Sequence, residues 1–331
     1  MILSYQCNAE CRHCMYASSP KWRGWMSEDD LRLLLSQLTG KIEPSRWGPN
    51  GVELNLGLHF TGGEPFLNFR LLLRAVEIST ELGIPSTFVE TNCFWAGTEE
   101  KTREMLVQLK EKGLKGILIS VNPFFLEHVP FQRTERVIKI AREIFGPNVL
   151  IYQQAYYWEF KILAIEGKFD PTTTLPLEKY LEISYRPKLE GVEIFLMGRA
   201  AYKLRDLFPT YPAEQFLDEP CPFPLIRSWH NHFDNYGNFI PGYCAGISLG
   251  PWSELEGMLK EGVELDKKPI LHLLVKEDFR GLLRFAKERG YREPPEGYVS
   301  KCHLCTDVRR FLVEHGNFAE LQPVEFYEYL E

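Results

Sequence analysis

The chain has 331 residues, of which 44% are apolar and 25% charged, a composition that suits one large or two smaller folded domains and excludes disordered and collagen-like chains. Its formal charge of −7 is not the basic balance expected of a protein that binds nucleic acid or an anionic membrane surface. No apolar run approaches the roughly 20 residues that span a bilayer, and no signal peptide is recognisable. We therefore expect a cytoplasmic protein with no membrane partner. A nucleic-acid partner is not expected from the global charge, which leaves open only a local basic patch.

Three of the eight cysteines lie near the start of the chain, in the spacing Cys7-x3-Cys11-x2-Cys14. This spacing is too tight for mutual disulfides and suits three corners of one inorganic cluster, because thiolates are soft ligands for iron–sulfur clusters or zinc. Three cysteines on a [4Fe–4S] cluster leave one iron open to a further ligand. The alternative is a zinc site completed by His13.

The next part of the chain alternates between helical and extended patterns. Ser27-x2-Asp30 forms a capping box before an apolar-periodic run, which predicts a helix. Apolar periodicity predicts further helices over 67–82, 99–112 and 133–145, and short apolar runs predict strands over 52–60, 86–92, 117–122, 148–154 and 192–197. Repeated strand–helix units predict a parallel sheet with helices outside it.

A second motif, Thr61-Gly62-Gly63-Glu64-Pro65, follows the strand predicted over 52–60. Taken alone it could be an ordinary turn. Together with the segment CNAECRHC, it resembles the radical S-adenosylmethionine (radical SAM) superfamily. The resemblance implies an α/β fold, the partial (β/α)6 TIM-type barrel, with its site at the carboxyl ends of the strands. It also implies that Cys7, Cys11 and Cys14 hold a [4Fe–4S] cluster and that SAM binds the open iron.

The resemblance further implies a set of contacts to SAM. Residues 62–65 would meet the SAM amino group, with Glu64 balancing the ammonium. His13 would stack on adenine, Ser120 would bind the ribose close to Asn122, and the Arg133 guanidinium would lie near the SAM carboxylate, although a helix-surface arginine is often simply solvated. The implied cofactor-binding residues are His13, Gly62, Gly63, Glu64, Pro65, Ser120, Asn122 and Arg133.

From about residue 201 the strand–helix pattern ends, which predicts a barrel domain over 1–200 and a second domain over 201–331. Asn/Gly turn chemistry over 229–244 predicts a hairpin, followed by two or three helices. This layout resembles the SPASM or shorter twitch extensions of radical SAM enzymes, in which a hairpin-plus-helices region binds an auxiliary [4Fe–4S] cluster. The implied ligands are Cys221, Cys244, Cys302 and Cys305. Four cysteines support a single cluster, which favours the twitch-like version, and a four-cysteine zinc site is the alternative.

Cys93 remains unassigned. It follows the strand predicted over 86–92, at the strand end where many relatives have glycine, and this position suggests that it faces the cavity. A thiol is a good hydrogen-atom donor, and radical SAM epimerases use one to quench a carbon radical. The alternative is a small buried thiol that packs like alanine.

The resemblance implies an enzyme that reductively cleaves SAM to a 5′-deoxyadenosyl radical, which abstracts a hydrogen atom from substrate. Peptides are common substrates of SPASM and twitch relatives, so the first expectation is oxidative modification of a peptide by dehydrogenation or by C–S or C–C bond formation. The alternatives are epimerisation with Cys93 as donor, oxidation of a small metabolite, and an iron–sulfur or zinc protein that carries electrons without catalysis. Expected partners are a flavodoxin or ferredoxin reductant and a separate peptide-recognition protein, because Cys7 lies too near the start for a preceding leader-binding domain.

Overall fold

The computed structural model describes residues 1–186, 189, 194–221, 225 and 230–331. The chain divides into two compact units. The first unit comprises Met1–Cys11 and Ser19–Glu193, and the second comprises Arg12–Ser18 and Ile194–Glu331. The functional division at residue 200 stays a prediction.

The first unit contains a five-stranded parallel sheet whose strands follow chain order. The strands are β1 (Ile2–Ser4), β2 (His59–Gly62), β3 (Phe88–Thr91), β4 (Gly116–Ser120) and β5 (Val149–Tyr152). Part of its core is built on Val52, Phe88 and Leu118, with Leu150 and Tyr152 packed against them. The predicted parallel α/β class is confirmed, and in the described part of the chain the sheet is open, as in a partial barrel.

Helices connect these strands. They are α1 (Glu28–Leu38), α2 (Phe69–Glu81), α3 (Glu99–Glu111), α4 (Pro123–Leu126), α5 (Phe131–Phe145), α6 (Gln154–Ile165) and α7 (Leu177–Ile183). Ser27 caps α1 as predicted, because its hydroxyl accepts the Asp30 amide hydrogen at 3.1 Å. The helices predicted over 99–112 and 133–145 are confirmed. The helix predicted from residue 67 begins at Phe69, because a short 3₁₀ helix occupies Pro65–Asn68.

Two predicted strands differ from the structure. Of the strand predicted over 52–60, only the last two residues belong to β2. Glu53 and Leu56 instead form an antiparallel bridge, and Gly57 follows with φ +90°. A Cβ on Gly57 would lie 2.3 Å from the Ser86 carbonyl oxygen, so the backbone turns tightly where alternating apolar residues indicated an extended chain. In the other predicted strand, residues 192 and 193 lie outside the described part, and residues 194–197 form no strand.

The second unit contains the predicted hairpin, formed by β6 (His232–Phe233) and β7 (Asn238–Ile240), with β8 (Gly250–Pro251) added to it. The Asp234 carboxylate stabilises the turn by accepting hydrogen bonds from the backbone N–H groups of Tyr236 and Asn238. The helices of the second unit are α8 (Ala200–Lys203), α9 (Leu255–Glu261), α10 (Pro269–Val275), α11 (Phe279–Lys287), α12 (Lys301–His315) and α13 (Glu325–Glu328). No helix among the described residues is both long enough and apolar enough to cross a membrane.

Candidate metal and cofactor sites

All eight cysteines lie in the described part of the chain, and all are thiols rather than disulfides. Cys7 and Cys11 are buried in the first unit, while Cys14 belongs to the second. The Cys7 sulfur accepts the Ala9 backbone N–H at 3.5 Å, and the Cys14 sulfur accepts the Ser18 backbone N–H at 3.3 Å. Hydrogen bonds to sulfur stabilise thiolates and help to tune iron–sulfur clusters. The donor set therefore fits a soft-metal cluster.

The two glycines of the TGGEP motif are required by a close backbone approach inside the first unit. A Cβ on Gly63 would lie 2.0 Å from the Gln6 carbonyl oxygen, and a Cβ on Gly62, where φ is +117°, would lie 2.5 Å from the Ser4 carbonyl oxygen. The backbone N–H groups of Gly63 and Glu64 donate to these same carbonyls, at 2.8 and 2.9 Å. The motif thus binds the end of β2 to the segment that leads into Cys7.

The structure encloses the Glu64 carboxylate, which the resemblance assigned to the SAM ammonium. Glu64 is only 1% exposed, and its oxygens accept hydrogen bonds from the backbone N–H groups of Phe66 and Asn92 and from the Thr91 hydroxyl. Burial raises the pKa of Glu64 to about 7, although these hydrogen bonds act in the opposite direction. Glu64 therefore links the ends of β2 and β3, and its contact with SAM stays a prediction.

A second carboxylate, Glu90 on β3, lies at the centre of a polar network and is more accessible. Its side chain is 31% exposed, and it accepts hydrogen bonds from the Ser120 hydroxyl at 2.5 Å and the Thr61 hydroxyl at 2.9 Å. The His59 Nε2 atom lies 3.3 Å from it. Burial alone would raise the pKa of Glu90, but His59, Ser120 and Thr61 outweigh that effect and lower it below its usual range. Glu90 is therefore an ionised acceptor at the carboxyl ends of three neighbouring strands.

The remaining implied SAM contacts have structural partners of their own. Asn122 caps α4, where its side-chain oxygen accepts the Phe124 backbone N–H at 3.1 Å. Arg133 on α5 donates to the Phe94 carbonyl oxygen and thereby holds the loop that follows β3. Pro65 begins the short 3₁₀ helix, and His13 is half-buried in the second unit. Their roles toward SAM stay predictions.

Cys93 begins the first turn of this loop, where its carbonyl oxygen accepts the Ala96 backbone N–H at 3.2 Å, and it has a left-handed φ of +69°. Its side chain is fully buried, and Thr134 on α5 is its hydrogen-bond partner. Burial raises the pKa of the Cys93 thiol well above its ordinary value, and the neighbouring Glu64 charge adds to this effect. The thiol is consequently kept protonated, and its role as a hydrogen-atom donor stays a prediction.

Two further residues hold the cysteine motif, and sequence reasoning missed both. In the first unit, the Asn92 side-chain amide donates to the Cys7 sulfur at 3.7 Å and to the Asn8 side-chain oxygen at 2.9 Å. In the second unit, the buried Arg199 guanidinium donates to the carbonyl oxygens of Ala17 at 2.6 Å and Ser18 at 2.9 Å. Two sequence features drew attention to these positions: the polar end of the strand predicted over 86–92, and the segment Gly198-Arg199-Ala200. Neither feature indicated which groups Asn92 and Arg199 would contact.

Four cysteines of the second unit, Cys221, Cys244, Cys302 and Cys305, line one cavity of about 200 Å³. They come from three separate segments: a loop with Cys221, the turn after β7 with Cys244, and the first two turns of α12 with Cys302 and Cys305. Burial raises the pKa of Cys302, and the nearby sulfurs of the other three raise it further. The structure thus places around one space the four thiols that the sequence grouped together.

Both basic side chains in the wall of this cavity are buried. Lys301 donates to the Glu219 carbonyl oxygen and lies over the Phe279 ring, with its Nζ 3.9 Å from the ring centroid. Arg309 lies one helical turn after Cys305 on α12.

Among the residues that the structure describes, no three Cys, His, Asp or Glu side chains are grouped so as to hold a single metal ion.

Two comparisons with known proteins find matches that cover more than nine-tenths of the chain. No protein-family model matches it. It is 25% identical over 311 residues to the putative peptide biosynthesis protein YydG of Bacillus subtilis, covering 92% of this chain and 89% of that protein. A solved structure of native anSMEcpe with bound AdoMet and Cp18Cys peptide is similar with a TM-score of 0.42 and 13% identity, covering 94% of this chain and 95% of the other. The length matched in YydG means that the similarity extends over both units.

Proposed function

We infer that the chain is a radical SAM enzyme with a SPASM-like auxiliary domain, and we propose that it oxidatively modifies a peptide. The observation that carries this proposal is the combination, in one chain, of the Cys7-x3-Cys11-x2-Cys14 motif, a GGEP motif at the end of β2 and four further thiols around one cavity. The peptide substrate is supported by the similarity to YydG, a protein named for peptide biosynthesis.

Cys7, Cys11 and Cys14 would hold the catalytic [4Fe–4S] cluster, and SAM would bind its open iron. When bound, these groups supply a 5′-deoxyadenosyl radical, formed by reductive cleavage of SAM, that abstracts a hydrogen atom from substrate. The chain's own contribution is to orient the reactants and to keep water away from them. The hydrogen bonds of Asn92 to the Cys7 sulfur and of Ser18 to the Cys14 sulfur would hold two ligands in place.

Glu90 is the carboxylate that we propose for the polar groups of SAM. Glu64 is enclosed and saturated by hydrogen-bond donors from its own chain, whereas Glu90 is partly exposed and ionised. A carboxylate at the strand ends can accept from the ammonium or ribose hydroxyls of SAM, and the Ser120 and Thr61 hydroxyls would orient it.

We propose that Cys221, Cys244, Cys302 and Cys305 hold one auxiliary [4Fe–4S] cluster, which would accept the electron that substrate loses. A zinc ion held by the same four cysteines is the alternative. All four thiols line one cavity of about 200 Å³, which supports their assignment to one shared metal site. A flavodoxin or ferredoxin would supply electrons for SAM cleavage, and a separate protein would present the peptide.

The reaction can be tested by mass spectrometry of products formed in deuterated water. Reconstituted enzyme, dithionite and SAM would be incubated with short peptides encoded beside this chain and, in parallel, with small metabolites. The proposal predicts a peptide that lacks two hydrogen atoms. Modification of a metabolite instead of a peptide would contradict the substrate proposal.

The second candidate reaction is epimerisation, and the fully buried, protonated Cys93 is the observation that favours it. In the same experiment, a peptide of unchanged composition with one deuterium at an inverted centre would indicate an epimerase. Cys93→Ala would then abolish deuterium incorporation, while formation of 5′-deoxyadenosine would continue. If oxidation is the reaction, Cys93→Ala would still give the oxidised product.

A further inference from the structure

Arg309 is a buried cation in the wall of the four-thiol cavity. The residue is 4% exposed and lies on α12. Its guanidinium donates to the Ala245 carbonyl oxygen at 2.9 Å, the Tyr327 hydroxyl at 2.8 Å, the Thr306 hydroxyl at 3.1 Å and the Cys305 carbonyl oxygen at 3.3 Å. All four acceptors are neutral groups.

The charge of Arg309 therefore needs a counter-charge from elsewhere. Removing a cation from water is unfavourable unless it is paired, and buried arginines usually meet a carboxylate or another anion. No carboxylate forms an ion pair with Arg309 in the part of the chain that the structure describes. The cavity that it faces is lined by one carboxylate, Glu277, and by four thiols, which become anionic on binding metal. The sulfurs of Cys305 and Cys244, rather than Glu277, are the cavity groups whose charge acts on Arg309.

We propose that Arg309 is a positioning residue that supplies the counter-charge of the auxiliary cluster and raises its reduction potential. This inference rests on the auxiliary cluster of the proposed function and goes beyond it by assigning the residue that tunes the cluster. Four thiolates on a [4Fe–4S] core carry net negative charge, and reduction adds one more electron. A guanidinium in a poorly solvated wall stabilises the more negative form, so the potential rises.

The hydrogen bonds of Arg309 also join two of the cysteine-bearing segments. Ala245 follows Cys244 in the chain, and the Cys305 carbonyl belongs to a ligand residue itself. One planar guanidinium thus connects the turn after β7 to the first turns of α12. Because the fork is rigid, lysine can supply the charge but not all of these hydrogen bonds.

The test is a redox titration monitored by electron paramagnetic resonance. It uses the full chain with Cys7, Cys11 and Cys14 all replaced by alanine, so that only the auxiliary cluster is observed. This background should contain about four irons. Arg309→Gln is expected to weaken reduction of the cluster at least tenfold in the equilibrium constant, which corresponds to a reduction potential lower by about 60 mV for one electron. Arg309→Lys, which keeps the charge, is expected to restore more than half of that shift.

Arg310→Gln is the matched control on the same helix. Arg310 pairs with Glu331 and lies over the Tyr202 ring, and it does not line the cavity. Its replacement removes the same charge from α12 and should shift the potential by less than a third as much.

Arg309→Gln protein with full iron and an unchanged potential would overturn the proposal, as would equal shifts in the Arg309→Gln and Arg310→Gln proteins. If Arg309→Gln lost the cluster, Arg309→Lys with full iron and a near-wild-type potential would support the role of charge. Loss of iron from both Arg309 variants would assign the residue to folding of the site and would also overturn the proposal. Zinc in place of iron in the background protein would instead refute the auxiliary cluster itself. The proposed SAM cleavage would not be affected by that result, because it is assayed separately with the wild-type chain.

Discussion

The two cysteine-bearing regions differ in how their ligands are brought together. In the first motif, three cysteines lie within eight residues. Backbone N–H groups only two and four residues further along the chain donate to the sulfurs of Cys7 and Cys14. The four thiols that line the cavity come from three segments, and the first and last of these cysteines, Cys221 and Cys305, lie 84 positions apart in the chain. They meet only around a folded cavity with cations in its wall. The contrast suggests that local sequence brings the first three cysteines close together, where distant residues such as Asn92 and Arg199 then hold the motif. The other four cysteines are brought together by tertiary packing.

Removing one ligand from the first motif should have the largest effect and tests whether the two regions hold separate clusters. Cys11→Ala is expected to abolish 5′-deoxyadenosine formation and to reduce bound iron from about eight to about four atoms per chain, because only the auxiliary cluster would remain. Iron analysis and chromatography of the SAM products measure both effects. Cys93→Ala is the matched control and should retain about eight irons. Equal iron in the Cys11→Ala and wild-type proteins would contradict the assignment.

Removing one ligand from the second region should give a different result. Cys302→Ala is expected to reduce iron to about four atoms, to abolish the oxidised product and to retain SAM cleavage, because the open-iron site would be intact. The ratio of modified peptide to 5′-deoxyadenosine measures this separation. A variant that loses SAM cleavage and product together, with normal iron in the first site, would show that the two sites do not have separate roles.

The tight packing around the first motif should make one glycine costly to replace. Gly63→Ala would place a Cβ 2.0 Å from the Gln6 carbonyl oxygen, so we expect a loss of about 3 kcal/mol in the free energy of unfolding. Chemical denaturation of the metal-free protein measures the change. Gly97→Ala is the control, since its Cβ would meet no atom within 4 Å and should change stability by less than about 0.5 kcal/mol. Similar losses in both variants would contradict the close-approach argument.

The buried carboxylate of the first unit should leave a pH signature. Burial raises the pKa of Glu64 from 4.5 to about 7, so between these values the folded protein holds a proton that the unfolded chain has released. Stability should therefore fall by about 2 kcal/mol as the pH rises from about 5 to about 7. In Glu64→Gln that loss should be absent, because glutamine does not titrate. Denaturation of both metal-free proteins across this range tests the prediction, and parallel pH dependences would contradict it.

Much of the fold was predictable because its signals are local. The Ser27 cap, the helices over 99–112 and 133–145 and the hairpin turn at Asp234 depend on residues a few positions apart. The strand predicted over 52–60 failed in its first part, because Gly57 must turn against Ser86, nearly thirty residues away, and no sequence periodicity encodes that contact.

The site shows the same limit. The resemblance assigned Glu64 to the SAM ammonium, which stays a prediction, but no sequence signal indicated that the donors enclosing this carboxylate include Thr91 and Asn92, at the end of another strand. The polar network of Glu90 likewise requires β2, β3 and β4 to be aligned. Residue types and spacing could identify metal-binding chemistry, but only the three-dimensional arrangement distinguishes an enclosed carboxylate from an accessible one.

The central claim is that the first motif supports reductive cleavage of SAM, and one measurement tests it most directly. The wild-type chain is reconstituted anaerobically with iron and sulfide, reduced with dithionite and incubated with SAM, and 5′-deoxyadenosine is quantified against protein. We predict more than one equivalent of 5′-deoxyadenosine per chain when about eight irons are bound. Protein that carries this iron and forms no 5′-deoxyadenosine, with or without peptide, would contradict the account.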